Sequence, residues 1–128
     1  MLTAWSSELL SVLRFVTAFL YMLHGTQKLF AFPLSASGTT VALVSLPGAA
    51  GVVEIVGGLL ILLGLFTRPA AFICSGEMAA AYFIAHAPRG LLPIHNGGEL
   101  PVLFCFVFLY LAGAGGGAWS LDAVRHAP

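Results

Sequence analysis

Arg14, His24, Lys28, Glu54 and Glu77 stand inside helix-length apolar stretches of a chain in which only 8% of residues are charged, and Glu99 stands at the edge of another. A charge in hydrocarbon is costly and turns towards a bundle interior or a cavity, so these residues are the first candidates for chemistry. A histidine, a lysine and a carboxylate together supply hydrogen-bond donors for a polar ring and a group that exchanges protons with it.

Spacing narrows the set. Arg14, Thr17, Tyr21, His24 and Lys28 recur at steps of three and four, which puts them on one stripe of a helix that should face inward. Ala50, Glu54, Gly57, Ile61 and Gly64 keep the same rhythm, so Glu54 shares a face with small residues that permit close helix approach. Glu99, Phe106, Tyr110 and Gly113 lie near one face of a later stretch. Nine positions separate Glu77 from His86, which sets them on opposite sides of an ideal helix and makes His86 a weaker candidate for the same site.

The elements that position these residues follow from composition. With 59% hydrophobic residues and a mean hydropathy of +1.00, the chain has too little polar surface to cover an ordinary soluble domain. It reads as an all-α integral membrane protein, one domain over residues 1–128. Four spans fit, at about 9–31, 49–66, 69–87 and 98–114, each near the roughly 17–25 residues that cross a bilayer. They predict a left-handed four-helix transmembrane bundle. Only Thr67 and Arg68 join the second and third spans, with Pro69 suited to a first helical turn. Val41 to Leu46 is apolar enough to form a short interfacial helix in the first loop. Trp5 and Trp119 suit the membrane boundary. Arg14 interrupts the first apolar run where a signal peptide needs continuity, so this run reads as a retained span. The formal net charge is zero and there is no Lys/Arg run, which excludes an electrostatic nucleic-acid footprint. Arg68, Arg125 and a shallow Arg14 oppose Lys28 and Arg89, so the positive-inside rule favours cytoplasmic termini in a bacterial inner membrane.

This topology gathers His24, Lys28, Glu54, His86, His95, Asn96 and Glu99 towards the non-cytoplasmic face. Glu54 has a structural reading, pairing with Lys28 or His24, beside a functional one. Glu77 is expected to form a structural ion pair with Arg14, at a similar depth. Two cations, Arg14 and Lys28, then face three carboxylates, so with neutral histidines one glutamate must hold a proton. Asn96 and Glu99 have capping-box spacing, although Pro101 favours a helix that begins at Gly98. His95 and Glu99 would share a metal only if that helix began earlier, and no metal motif supports such a site. Cys74 and Cys105 differ in depth and read as packing thiols. Gly113 to Gly117 reads as a flexible exit from the last span.

Several segments together resemble the DoxX family of small membrane proteins. They are His24-Gly25-Thr26-Gln27-Lys28-Leu29, Gly51-Val52-Val53-Glu54-Ile55-Val56-Gly57-Gly58 continuing to Leu63-Gly64-Leu65-Phe66-Thr67-Arg68, then Asn96-Gly97-Gly98-Glu99, and Trp119-Ser120-Leu121-Asp122. The resemblance implies four membrane helices and a subunit of the quinol-oxidase or thiosulfate:quinone oxidoreductase type. On that reading a quinone head group meets His24 and Lys28, with Glu54 exchanging protons and Tyr21, His95, Asn96 and Glu99 as further ligand-binding candidates. There is no haem, flavin or iron-sulfur motif, so electrons would come from a substrate or a protein partner. The alternative is a non-enzymatic anchor or assembly module, or a small-solute or ion carrier, in either case as a homo-oligomer or with another protein.

Overall fold

Apolar residues at helical spacing, stopped by glycine or by residues that can cap, produce the long helices of this chain. The computed structural model describes residues 1–128 and is all-α. Helix α1 spans Ser6–Phe30 after a 3-10 turn at Leu2–Trp5, and ends where Ala31 turns left-handed (φ 54°). Helix α2 spans Leu46–Leu63. Its start lies earlier than residue 49 because the Ser45 side chain accepts from the Gly48 amide (3.1 Å) and Pro47 occupies the first turn, both favourable there. Gly64 (φ 69°) ends it.

Helix α3, Thr67–Ala81, continues into a π turn at Tyr82–His86 and a 3-10 turn at Ala87–Arg89. After a short α4, Pro93–Asn96, comes α5, Glu99–Ala114, and a last turn, α6, Leu121–Arg125. The segments Leu2–Phe30, Leu46–Leu63 and Thr67–Arg89 are each long and apolar enough to cross a membrane, whereas α5, with 16 residues, is shorter. The expected helix at Val41 to Leu46 does not form before Leu46 itself opens α2. Instead the Val41 amide donates to the Lys28 carbonyl (2.8 Å) and ties the loop to the end of α1.

Tyr21, Ile61, Ala71, Cys74, Phe108 and Leu111 are fully buried at the centre, while Phe15, Phe19, Phe72, Ile73 and Phe83 cover the outside. An apolar exterior around a small core is what lipid requires and water does not tolerate. Phe106 and Tyr110 belong to this exterior, so the face of α5 that carries them turns outward and Phe104, Phe108 and Leu111 turn in.

Glycines decide how close α1 and α2 come. A Cβ on Gly25 would sit 2.7 Å from the Gly51 carbonyl oxygen and 2.9 Å from the Glu54 Cβ. On α2, Gly51 receives Leu29 and Gly58 receives Met22, whereas Gly57 leaves room for the Cys74 Sγ of α3. Glu54 is therefore flanked by small residues on both sides.

Arg14 does not pair with Glu77. It is 2% exposed, and its guanidinium donates to the carbonyls of Gly116 (2.8 Å), Ile61 (2.6 Å), Trp119 (2.6 Å) and Leu62. The last carbonyls of α2 lack intrahelical partners, and a guanidinium has five donors to offer them. Glu77 instead accepts from the Tyr21 hydroxyl (3.0 Å), and Tyr21 lies about 10 Å further along α1 than Arg14.

Two stability outcomes follow. Arg14→Gln is expected to cost roughly 3–5 kcal/mol, and adding Glu77→Gln should not recover it; thermal unfolding in detergent that shows rescue by the double variant would restore the ion pair. Gly25→Ala should cost roughly 1–3 kcal/mol, whereas Gly76→Ala, with nothing within 4 Å of the added carbon, should be neutral or gain about 0.5–1 kcal/mol. Equal unfolding temperatures for those two variants would argue against the close crossing.

Candidate functional site

At the end of α1 remote from Arg14, the crossing at Gly25 brings Lys28 against Glu54. The Lys28 ammonium donates to Glu54 Oε1 at 2.6 Å, with the carboxylate 1% exposed and the lysine side chain 32% exposed. The other carboxylate oxygen, Glu54 Oε2, is buried without a hydrogen-bond partner. A buried acceptor left unpaired carries a desolvation cost of roughly 1–3 kcal/mol, more when charged. Such an atom in a native fold calls for a ligand, a water or a proton, and the Glu77 carboxyl lies within reach to share a proton with it.

Two cavities meet at Lys28. One, of about 320 Å³, is lined by His24, Lys28, Glu54, His86 and Phe104, with Pro101 and Gly97 from the start of α5 and the turn before it. The other, of about 370 Å³, lies between α2 and α3 and is lined by Lys28, Glu77, Val53 and a run of alanines. Leu46 and Ile84 at its rim are exposed to the surroundings of the helices. The first cavity is therefore the polar chamber and the second an apolar side entrance, with the Lys28 ammonium between them.

His24 is exposed, with its ring edge-on to Phe104 (5.9 Å, 84°). Tyr21 is fully buried, packs edge-on against Phe108 (4.8 Å) and Phe104 (5.7 Å), and spends its hydroxyl on Glu77. Lys28, Glu54 and His24 thus share a cavity, and Tyr21 supports its floor through Phe104.

The residues around the α3–α5 connection behave differently. Asn96 is 3% exposed, but its amide donates to Gly90 O (2.6 Å) and to the Tyr82 hydroxyl (3.2 Å), while its Oδ1 accepts from the Gly98 amide (2.8 Å). These bonds use the side chain to hold the turn, so it has little left for a ligand. His95 and Glu99 are exposed and line neither cavity. Gly97 (φ 72°) ends α4, so the two residues do not share a helix and cannot present their side chains one turn apart. Glu99 opens α5 with Gly98 at the N-cap, which leaves Pro101 in the tolerated first turn. The Asn96 side chain forms a local turn with Gly98 rather than a capping box.

His86 is the residue that spacing undervalues. The π turn at Tyr82–His86 underwinds the helix, and over one such turn the direction of the side chains drifts by roughly a quarter of a revolution from the ideal. His86 consequently reaches the polar cavity. Its Nδ1 lies 3.0 Å from the Asn96 carbonyl oxygen, an acceptor, so the proton is on Nδ1 and Nε2 is free to accept. The only signal for this in the sequence is the Pro88 two residues on, which cannot continue the α-helical bonding.

Comparison with known proteins identifies the family. The DoxX family model matches residues 9–87, a stretch that contains Tyr21, His24, Lys28, Glu54, Glu77 and His86. A relative from Haemophilus influenzae, described as an uncharacterized protein, is 51% identical over 117 residues, covering 88% of this chain and 87% of the relative. No solved structure matches the chain. By the family match and by this identity, the chain belongs to the DoxX family of membrane proteins.

Proposed function

We propose that this protein is the membrane subunit of a redox system and binds a quinone at the Lys28–Glu54 pair. The observation that carries the reading is the unpartnered Glu54 Oε2, buried at the wall of a polar cavity whose neighbour opens sideways between α2 and α3. A lipid-soluble ring would enter through the apolar cavity, past Leu46 and Ile84, and its carbonyl would meet the Lys28 ammonium. A bound quinone supplies reversible proton-coupled redox chemistry.

The chain's own groups have separable roles. Lys28 donates to the ring carbonyl and neutralises Glu54; when a ligand draws the ammonium away, Glu54 becomes the proton acceptor. His24 stands at the exposed edge of the cavity and exchanges protons with the outside. His86, fixed by Asn96, presents Nε2 as a second acceptor. Phe104 forms an apolar wall against which a flat ring packs. Electrons come from a partner protein or a bound substrate, since no motif for an electron carrier is present. This reading places four helices across a bacterial inner membrane, α5 included, with both termini in the cytoplasm.

Two measurements test it. In a background without native cysteines, single cysteines at residues 37 and 125 should label from opposite sides of the membrane, residue 125 from the cytoplasmic side; labelling from one side for both would end the four-span topology. Nanodisc-purified protein should carry quinone detectable by mass spectrometry. Glu54→Gln should fold, yet lose quinone retention or quinone-linked turnover by about 10²-fold or more. Full retention by that variant, or no quinone in the wild-type protein, would overturn the assignment.

A further inference from the structure

A third cavity lies at the opposite end of the helices, about 20 Å from Lys28 along α1. It has a volume of about 530 Å³, opens to the surface, and is lined by Phe66 to Pro69 at the start of α3, by Ala114 to Gly117 at the end of α5 and just after it, and by Ser120, Asp122, Ala123, Arg125 and His126 around α6. Nothing in the quinone reading uses it.

Its walls hold more positive than negative charge. Arg68 and Arg125 line it together with one carboxylate, Asp122. That carboxylate is already engaged: its two oxygens accept from the Phe66 and Thr67 amides, each at 2.9 Å. Burial works to raise the Asp122 carboxyl, but these amides, with help from the nearby Thr67 hydroxyl and from Arg125, outweigh it and hold it below the ordinary carboxylate range. The arginines are less completely used. Arg68 donates through Nη1 to Gly113 O and weakly to Ala112 O (3.5 Å), which leaves its other nitrogens lying over Gly115. The Arg125 guanidinium stacks 4.7 Å above the Phe66 ring, an arrangement that leaves the in-plane N–H donors open to an anion.

The floor supplies two further observations. Gly115 (φ 86°) and Gly117 (φ 81°) take a backbone conformation that disfavours side chains. Neither the Gly116 nor the Gly117 amide donates to a backbone carbonyl, and successive free amides in a glycine turn are a common anion cradle. Beneath them Thr67, 0% exposed, has an Oγ1 without a hydrogen-bond partner. A Cβ on Gly116 would sit 2.7 Å from the Ser120 Cβ and 3.0 Å from that oxygen, so only a glycine lets the turn lie this close over Thr67. A hydroxyl donor, unused amides and two guanidinium groups around one opening match an acceptor-rich, negatively charged oxygen cluster. A carboxylate is a poorer match, because it offers two oxygens rather than three or four.

We infer that the cavity between the α3 N-terminus, the Gly115–Gly117 turn and α6 is a phosphate-binding site. The phosphate group is carried either by an anionic phospholipid or by a soluble molecule. Trp119, exposed beside the cavity, and the exposed Leu121 and Val124 of α6 set the opening among apolar and interfacial side chains, where a lipid headgroup lies.

The test uses the full chain in nanodiscs of phosphatidylcholine. One arm adds inorganic phosphate and follows binding by phosphorus NMR; the other replaces part of the lipid with phosphatidylglycerol and counts retained lipid by native mass spectrometry. Arg125→Gln and Thr67→Val should each weaken binding by about tenfold, and Arg68→Gln by at least as much. Phosphatidylglycerol retention without phosphate binding identifies a headgroup site, and phosphate binding identifies a soluble ligand; both support the inference. If Arg68→Gln fails to fold, the exposed Arg125 and the near-isosteric Thr67→Val still decide the matter. Absence of both ligands from the wild-type protein, or binding unaffected by Arg125→Gln and Thr67→Val, overturns it.

Discussion

The guanidinium of Arg14 is the constraint on which the rest of this molecule depends. One side chain on α1 reaches the last carbonyls of α2 and two carbonyls of the segment after α5, and so fixes three parts of the chain that are far apart in sequence. The charge would be prohibitively expensive in hydrocarbon if it met only apolar neighbours. Here it meets the negative end of the α2 dipole and four backbone carbonyls, so its solvation is replaced rather than lost. Ser11, one turn earlier, extends the same arrangement: its hydroxyl bonds to Ser7 O and Gly116 O and accepts from the Trp119 amide (2.9 Å). With the ends of α1 and α2 held there, the Gly25 crossing sets how Lys28 meets Glu54.

The two ends of the helices therefore treat charge in opposite ways. The Arg14 guanidinium itself is matched to backbone acceptors through all three of its nitrogens, as in a joint made for rigidity. Near Lys28 the accounting is incomplete: Glu54 keeps one oxygen unpaired, His24 is exposed, and His86 has one ring nitrogen used. Two cavities adjoin this unfinished set. A polar network that is only partly satisfied lowers stability, and folds retain one where binding or proton exchange needs the spare capacity.

Much of this was legible in the sequence, because the membrane leaves few alternatives for an apolar chain. Long apolar stretches between Gly and Pro fixed the helices to within a few residues, and the three-four spacing gave an inward stripe that holds for Arg14, Thr17 and Tyr21, whereas His24 further along it is exposed. The Lys28–Glu54 contact could be anticipated because antiparallel neighbours joined by a loop place those depths together. The Arg14 partners could not, since backbone carbonyls carry no residue identity in a sequence, and matching charges by depth points to a carboxylate instead. Asn96 was recognisable as a polar residue in an apolar setting, but its three bonds depend on the path of the connection. Spacing kept His86 apart from Glu77, as the structure does, but ideal helical periodicity ignores a π turn and gave no sign that His86 would line the polar cavity.

Glu77 shows how far such reasoning extends. It stands on α3, bonded to the Tyr21 hydroxyl and lining the apolar cavity, while Glu54 on α2 lines the polar one and Lys28 borders both. The Glu54 and Glu77 carboxyls lie within hydrogen-bonding reach of one another, so a ligand on either side changes the partner available to the other. Tyr21 joins this set to the aromatic core through Phe104 and Phe108, whose rings stack 5.9 Å apart. Phe104 in turn forms a wall of the polar cavity and contacts His24. The side chains that pack the centre of the molecule are thus the same ones that shape the site, so neither the aromatic core nor the buried charges can be altered without moving the other.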